Sequence, residues 1–325
     1  MQTRPATIVP RNGPAIEVRQ LRKTYPGGVE AVKGIDFEVA QGEAFGLLGP
    51  NGAGKSTTVG MLTTTVVPTA GTAVLAGFDV ATAGLAARRM SSVVFQESVV
   101  DRGLSGRSNL QIHARLWGVD NATARTRIAE LAETVGLTEL LDRKVATFSG
   151  GQRRRLEIAR ALVSAPRVLF LDEPTVGLDP RIRFELLDVV AHLRDRADTT
   201  ILLTTHYLDE AERLCDRVAI MHDGRVVALD TPAALLASLG REIVELRIDG
   251  QAEAALAALR AHGIAGDDAF SVGGTLSVPL HDRAAVDAIS AIHGLHLPVA
   301  ALSTRQPTLD DVYLRLTGDR IADAA

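Results

Sequence analysis

Alternation of apolar and polar residues marks the first structured stretch of the chain. Ile16-Glu17-Val18 and Ile35-Asp36-Phe37-Glu38-Val39 switch character at every position, which predicts half-buried strands. Turns are predicted at Pro26-Gly27-Gly28 and Gln41-Gly42. Ala44-Phe45-Gly46-Leu47-Leu48 abandons the alternation for a short apolar run, as a strand covered on both faces does. A helix is expected from near Gly54 to about Leu62, and a further strand, Val93-Val94-Phe95, ends at Gln96. From about Leu104 to Val163 the period lengthens. Ile128, Leu131, Val135 and Leu137, then Leu156, Ile158, Leu162 and Val163, recur at near-helical spacing, so a helical insert is expected. Apolar runs return at Val168-Leu169-Phe170-Leu171, Ile201-Leu202-Leu203 and Val218-Ala219-Ile220. Buried strands alternating with helices predict a parallel α/β core.

Near Leu239-Gly240 the pattern changes. Strands are expected near 243–248, 275–279 and 298–303, with Ala-rich helices near 251–262 and 283–293. The expected division is a disordered arm at 1–14, a main domain at 15–238 with a helical subdomain at about 97–163, and a small C-terminal α/β domain at 239–325 that carries no chemical motif. The length of 325 residues suits two domains.

Composition narrows the partners. With 46% hydrophobic and 23% charged residues the chain can bury a sizeable core. A formal net charge of −4 supplies no global basic field, so nucleic acid is not an expected partner. Cys215 is the sole cysteine, which rules out an intrachain disulfide, fits a reducing compartment and reads as a small core residue. Met1 to Pro14 lacks the apolar centre of a signal peptide. No apolar run reaches the roughly 18 residues of a membrane span, so a membrane role would have to come through a partner.

Two glycine-rich loops carry the chemistry. Gly49-Pro50-Asn51-Gly52-Ala53-Gly54-Lys55-Ser56 follows a predicted strand and opens a predicted helix, the setting of a phosphate-binding P-loop. Its glycines let backbone N–H groups close around phosphates, and the helix N-terminus adds positive potential. Lys55 is placed to neutralise the β- and γ-phosphates and Ser56 to offer its hydroxyl to Mg²⁺. The second apolar strand ends in Asp172-Glu173. Asp172 is placed to hold Mg²⁺ through water and Glu173 to polarise an attacking water, whereas without the P-loop the two would read as solvated turn acids. Ser149-Gly150-Gly151-Gln152 precedes a predicted helix. Ser149 suits an N-cap and the glycines expose N–H groups to an anion, although a flexible linker has the same composition.

Over about residues 15–235 the chain resembles the ATP-binding subunits of ABC transporters, with several motifs in family order. Ser149-Gly150-Gly151-Gln152 resembles the family signature, with Phe148 where Leu is commoner. Gln96 resembles the Q-loop glutamine, Gly177-Leu178-Asp179 the D-loop, His206 the switch histidine and Tyr25 the adenine-stacking aromatic. Taken singly, Gln96 reads as a strand-end polar residue, His206 as a surface histidine and Tyr25 as a half-buried core aromatic. The resemblance implies an α/β P-loop NTPase core, with a parallel-rich sheet, an antiparallel β region and a helical subdomain, followed by the small C-terminal domain. It implies ATP and Mg²⁺ as cofactors and catalytic roles for Glu173, His206 and Gln96. Nucleotide contacts fall to Tyr25, Gly49, Pro50, Asn51, Gly52, Ala53, Gly54, Lys55, Ser56 and Thr57, and to Ser149, Gly150, Gly151, Gln152 and Asp179; the metal falls to Ser56, Gln96 and Asp172. It also implies a head-to-tail pair, a homodimer or a pairing with a similar subunit, in which each signature grips the ATP held by the other. It places this chain at the cytoplasmic face of the cell membrane, attached through a separate multi-span permease.

The segment from Phe95 to Trp117, and the tail from Pro307 to Gly318, resemble the daunorubicin-type drug-resistance exporters. Efflux of a drug-like or lipophilic compound is therefore the expected task. The importer ATPases share every core motif and remain the first rival. A soluble ABC ATPase acting on DNA or ribosomes is the second, and a non-catalytic regulatory subunit the third.

Overall fold

The computed structural model describes residues 13–197 and 199–318, so the arm expected at 1–14 falls almost wholly outside the described residues. The chain divides into two compact units between Leu229 and Asp230.

In the first unit, β1 (Ile16–Thr24) and β2 (Glu30–Val39) pair antiparallel, and their alternating residues Ile16, Val18, Ile35, Phe37 and Val39 all turn into the core. β3 (Ala44–Leu48) is buried at all of its residues and leads into α1 (Lys55–Leu62). β4 (Ala70–Leu75) and β5 (Phe78–Asp79) complete a four-stranded sheet in the order β2-β1-β4-β5. After α2 (Gly84–Arg89), β6 (Ser91–Val94) begins the second sheet's far edge. Phe95, expected in this strand, leaves it, because pairing with the neighbouring strand ends at Val94. The helical insert follows as α3 (Gly106–Leu116), α4 (Asn121–Thr134) and α5 (Gly150–Leu162). Then come β7 (Val168–Asp172), α6 (Pro180–Ala197), β8 (Thr200–Thr205), α7 (Leu208–Leu214), β9 (Arg217–His222) and β10 (Arg225–Asp230).

The second sheet runs β10-β9-β3-β8-β7-β6. β3 lies parallel to β8 and β9, β7 to β8, and β6 to β7, so the C-terminal ends of β3, β6, β7 and β8 open on one side. Loops at that edge of a parallel sheet are where such folds place ligands. Phe37 of the first sheet stacks on Phe45 of the second, with ring centroids 5.3 Å apart, within a core that also holds Leu47, Phe170, Leu202 and Met221. Cys215 is buried, and that burial pushes its thiol pKa up, as a core residue requires.

The second unit starts with α8 (Pro232–Ala237) and continues as β11 (Glu242–Ile248), α9 (Ala252–Ala261), β12 (Phe270–Val272), β13 (Thr275–Leu280), α10 (Ala285–Gly294), β14 (Val299–Arg305) and α11 (Leu309–Thr317). Its antiparallel sheet has the order β12-β13-β11-β14. Val244, Leu246 and Ile248 of β11 form a core with Leu256 and Leu259 of α9 and Ile292 of α10. The tail around 307–318 is a helix with marked ends: Thr308 and Asp311 form a capping box, and Gly318 closes it in the left-handed conformation.

Candidate active site

The P-loop is the turn between β3 and α1. Gly49 has φ +148°, and a Cβ there would lie 2.3 Å from the Met221 carbonyl oxygen. Gly54, the residue before α1, has φ +102° and would meet the Ala31 carbonyl at 2.5 Å. Both positions therefore exclude a side chain on conformation and on space. Lys55 folds back over the loop, only 4% exposed, and donates to the carbonyls of Gly49 (2.7 Å) and Pro50 (3.0 Å). Burial lowers its pKa, while Glu173, 3.6 Å away, and Asp172 pull in the opposite direction. A buried ammonium resting on carbonyl oxygens is matched to phosphate oxygens that could take their place.

Asp172 ends β7 and pairs in register with Thr204 of β8. The Thr204 hydroxyl donates to Asp172, and Ser56 in the first turn of α1 stands 3.5 Å from the same carboxylate oxygen. Among the described residues no group of three or more His, Cys, Asp or Glu forms a metal site. A hydroxyl and one carboxylate fit Mg²⁺, which binds through one or two protein oxygens and completes its shell with water and substrate phosphates.

Glu173 follows with φ +44°, a left-handed backbone that a glutamate adopts only under constraint. The constraint is visible: its N–H donates to both the carbonyl (3.1 Å) and the hydroxyl (3.0 Å) of Thr204. Its carboxylate is held between Lys55 and His206, whose Nδ1 lies 3.5 Å from it. That approach is not a hydrogen bond, and His206 Nδ1 is buried without a partner. The ring is braced from behind. His206 packs on Tyr207 with centroids 4.2 Å apart, and the Arg183 guanidinium covers Tyr207 at 4.3 Å. An orphaned buried nitrogen beside a carboxylate leaves room for a water or phosphate oxygen to satisfy both.

The remaining expected residues divide into two groups. Tyr25 is at the P-loop: its hydroxyl is 3.4 Å from Thr57 Oγ1, and its half-exposed ring carries Lys23 at 5.1 Å. Gln96 is exposed beyond the end of β6, beside β7, with no hydrogen bond to the Ser56–Asp172 pair. Ser149 is the N-cap of α5 in a capping box, in which its N–H donates to Gln152 Oε1 (2.9 Å) and its hydroxyl accepts from the Gln152 N–H (3.2 Å). Asp179 is exposed just before Pro180 opens α6. The hydrogen bonds of Ser149 and Gln152 stay within their own loop and do not reach residues 49–57.

Sequence reasoning passed over two supports of this site. Thr204 holds both Asp172 and Glu173, and a polar residue at the end of an apolar strand was its only signal. Glu210, buried on α7, accepts from the hydroxyls of Thr175 and Thr205 and so ties the loop after Glu173 to the end of β8. Burial raises its pKa.

Comparison with known proteins identifies the family. Residues 32–176 match the ABC transporter family. The daunorubicin/doxorubicin resistance ATP-binding protein DrrA of Streptomyces peucetius is 45% identical over 310 residues, covering 94% of this chain and 92% of its own length. The linearmycin resistance ATP-binding protein LnrL of Bacillus subtilis is 35% identical over 312 residues, covering 95% of this chain and 100% of its own. Among solved structures, cbiO1 from Clostridium perfringens, part of the ABC transporter complex cbiONQ, superposes with a TM-score of 0.65 at 29% identity, over 69% of this chain and 91% of that one. The chain belongs to the ABC transporter family as an ATP-binding, ATP-hydrolysing subunit, akin to the daunorubicin/doxorubicin-resistance ATP-binding proteins.

Proposed function

We propose that this chain powers a drug exporter: two copies close head to tail on two ATP molecules and drive efflux of a drug-like or lipophilic compound through a separate permease. The observation that carries the proposal is the Glu173 carboxylate, held on a left-handed backbone between Lys55 and the unpartnered His206 nitrogen. In this reading the phosphates of ATP take Lys55 from the Gly49 and Pro50 carbonyls, and the adenine stacks on Tyr25, which Thr57 anchors. Glu173, freed from Lys55, orients a water for in-line attack on the γ-phosphate, and His206 Nδ1 fixes the reacting oxygens. Ser56 and Asp172, with Gln96 approaching from its exposed loop, would hold Mg²⁺. That ion would neutralise charge developing on the phosphates.

Ser149, Gly150, Gly151 and Gln152 present the N-terminus of α5 to solvent, where it serves the ATP of the second copy; Asp179 stands at the same boundary. Phe95, Val99, Ile112, Leu116 and Trp117 are exposed apolar side chains around the Gln96 loop and α3, a surface suited to the permease. No described helix is long and apolar enough to cross a membrane, so attachment to the cytoplasmic face would run through that permease. The second unit is read as an accessory domain outside the catalytic cycle.

The test is Glu173→Gln. ATP binding should persist, hydrolysis should fall by about 10²–10⁴, and dimers should accumulate with MgATP in size-exclusion chromatography. Wild-type turnover by this variant would remove Glu173 from the chemistry.

A further inference from the structure

Three arginines follow the signature, and they do different things. Arg153 donates to the Phe148 carbonyl, and Arg155 reaches Glu185 on α6. Arg154 points inward and is 7% exposed. Its Nε donates to the Pro174 carbonyl; Nη1 donates to the Phe95 carbonyl and, at 2.8 Å, to Glu157 Oε2; Nη2 donates to the carbonyls of Asp172 (3.4 Å) and Glu173 (3.3 Å). One guanidinium thus spends its N–H groups on three segments: its own helix, the peptide just before Gln96, and the backbone of Asp172, Glu173 and Pro174.

The acceptors are specific. Glu173 is the strained residue of the site, and its backbone is pinned from two directions: Thr204 takes its N–H and Arg154 takes its C=O. Between them they maintain the left-handed conformation that sends the carboxylate toward Lys55 and His206. The Phe95 carbonyl fixes where the Gln96 loop leaves the sheet. A second arginine on α5, Arg160, donates to the Val99 carbonyl at 3.4 Å, so the Gln96 loop is held near both ends by one helix. The network is not saturated. Glu157 Oε1, Arg160 Nε and His113 Nε2 are buried without partners, which makes the cluster sensitive to small shifts of α5. A lysine could not reproduce the arrangement, because a single ammonium cannot serve acceptors spread over three segments.

We propose that Arg154 is a positioning residue that links the signature helix and the Gln96 loop to the catalytic backbone, so that movement of either is felt as movement of Glu173. The proposal rests on the reading of Glu173 as the group that orients the attacking water. It assigns Arg154 no contact with ATP. Its loss should leave nucleotide affinity alone and lower turnover.

The experiment uses the full-length chain with MgATP and compares Arg154→Met, Arg154→Lys, Glu173→Gln and the double variant Arg154→Met/Glu173→Gln. Arg154→Met keeps the volume and removes the donors. Its kcat should fall at least about tenfold, with KM for ATP within about threefold of wild type, as expected when an interaction made only in the transition state is lost. Arg154→Lys should recover less than half of the lost rate, and it carries the same measurement if the Met variant does not fold. In the double variant, the Arg154 substitution should slow the residual hydrolysis of Glu173→Gln by less than about twofold, since a residue acting through Glu173 has nothing left to position. A wild-type kcat for Arg154→Met, a loss expressed in KM, or a full additive loss in the double variant would each overturn the inference while leaving the role of Glu173 intact. Unimpaired Glu173→Gln would instead overturn the reading on which the inference rests.

Discussion

The two glycine loops of this chain look alike in sequence and differ in what they need. In the P-loop the fold itself demands glycine. Gly49 and Gly54 take positive φ, and a Cβ on either would run into a backbone carbonyl at 2.3 Å or 2.5 Å. In the signature loop Gly150 has no such excuse. It is helical and exposed, and a Cβ there would sit 3.6 Å from Leu178, an ordinary contact. Charge repeats the contrast. Lys55 is satisfied by its own loop, whereas at the start of α5 the Ser149 hydroxyl takes the Gln152 N–H and the N–H groups of Gly150 and Gly151 lie beyond the reach of intrahelical bonding. One loop is complete within the chain. The other is mixed: a Cβ on Gly151 would meet Ile182 Cγ2 at 2.6 Å, so packing within the chain accounts for that glycine, and Gly150 alone leaves the open surface that the proposed head-to-tail pair would use.

That asymmetry can be broken most severely by mixing two dead chains. Lys55→Ala removes the buried ammonium and should abolish hydrolysis. Gly150→Asp should fold, since the site is open and an acid suits a helix N-terminus, yet it should repel the phosphate of a second copy and also abolish hydrolysis. Combined in equal amounts, the two should regain up to about a quarter of the wild-type rate, because half of the pairs contain one intact P-loop facing one intact signature. Phosphate release on titrating one variant into the other reads this directly. Activity that stays at zero at every ratio would end the head-to-tail account.

A second comparison isolates the fold. Gly49→Ala should destabilise the first unit by about 3 kcal/mol or more, from strained φ and a backbone clash. Gly150→Ala should change stability by no more than about 0.5 kcal/mol, toward greater stability. Urea unfolding of the two variants measures both. Equal losses would mean that the signature glycine is structural after all, and the contrast between the loops would disappear.

The P-loop was legible because its spacing is strict and a buried strand precedes it; the α5 N-cap was legible because Ser149 and Gln152 stand at capping-box spacing. The short strands β4, β5 and β12 were not, since two to six residues with small or mixed side chains carry no clear period. The meeting of Glu173 with His206 was also hidden. It depends on β7 and β8 lying side by side with Asp172 opposite Thr204, a register that no local pattern encodes. Arg154 was hidden between two identical neighbours, Arg153 and Arg155, although helical phase distinguishes it. Arg154, Ile158 and Ala161 stand at i, i+4 and i+7 and are all buried, so the arginine lies on the apolar stripe of its own helix.

The smallest effect separates the loops by what supports them. α5 packs against α3, where His113 Nε2 is buried without a partner and the ring sits 5.9 Å from Trp117. Burial, and then the neighbouring Arg160, push the pKa of His113 down from 6.5 to about 4. A depressed folded pKa means that the unfolded chain binds more protons in the interval between the two values. The stabilisation is therefore complete above about pH 6.5 and is lost progressively as pH falls toward 4. His113 is partly accessible to water, so the effect is discounted to about 1 kcal/mol. Lys55 is also depressed, by burial, from the lysine value of 10.5, and it belongs to the P-loop and not to the α3–α5 contact. Hydrogen exchange, compared at pH 5 and pH 7.5 after correction for intrinsic rates, should show lost protection in α3 and α5 and little change in α1. His113→Asn should remove that difference. If α1 and α5 loosened together, or if the Asn variant kept the wild-type response, the acid sensitivity would belong to the whole unit and not to the ground beneath the signature loop.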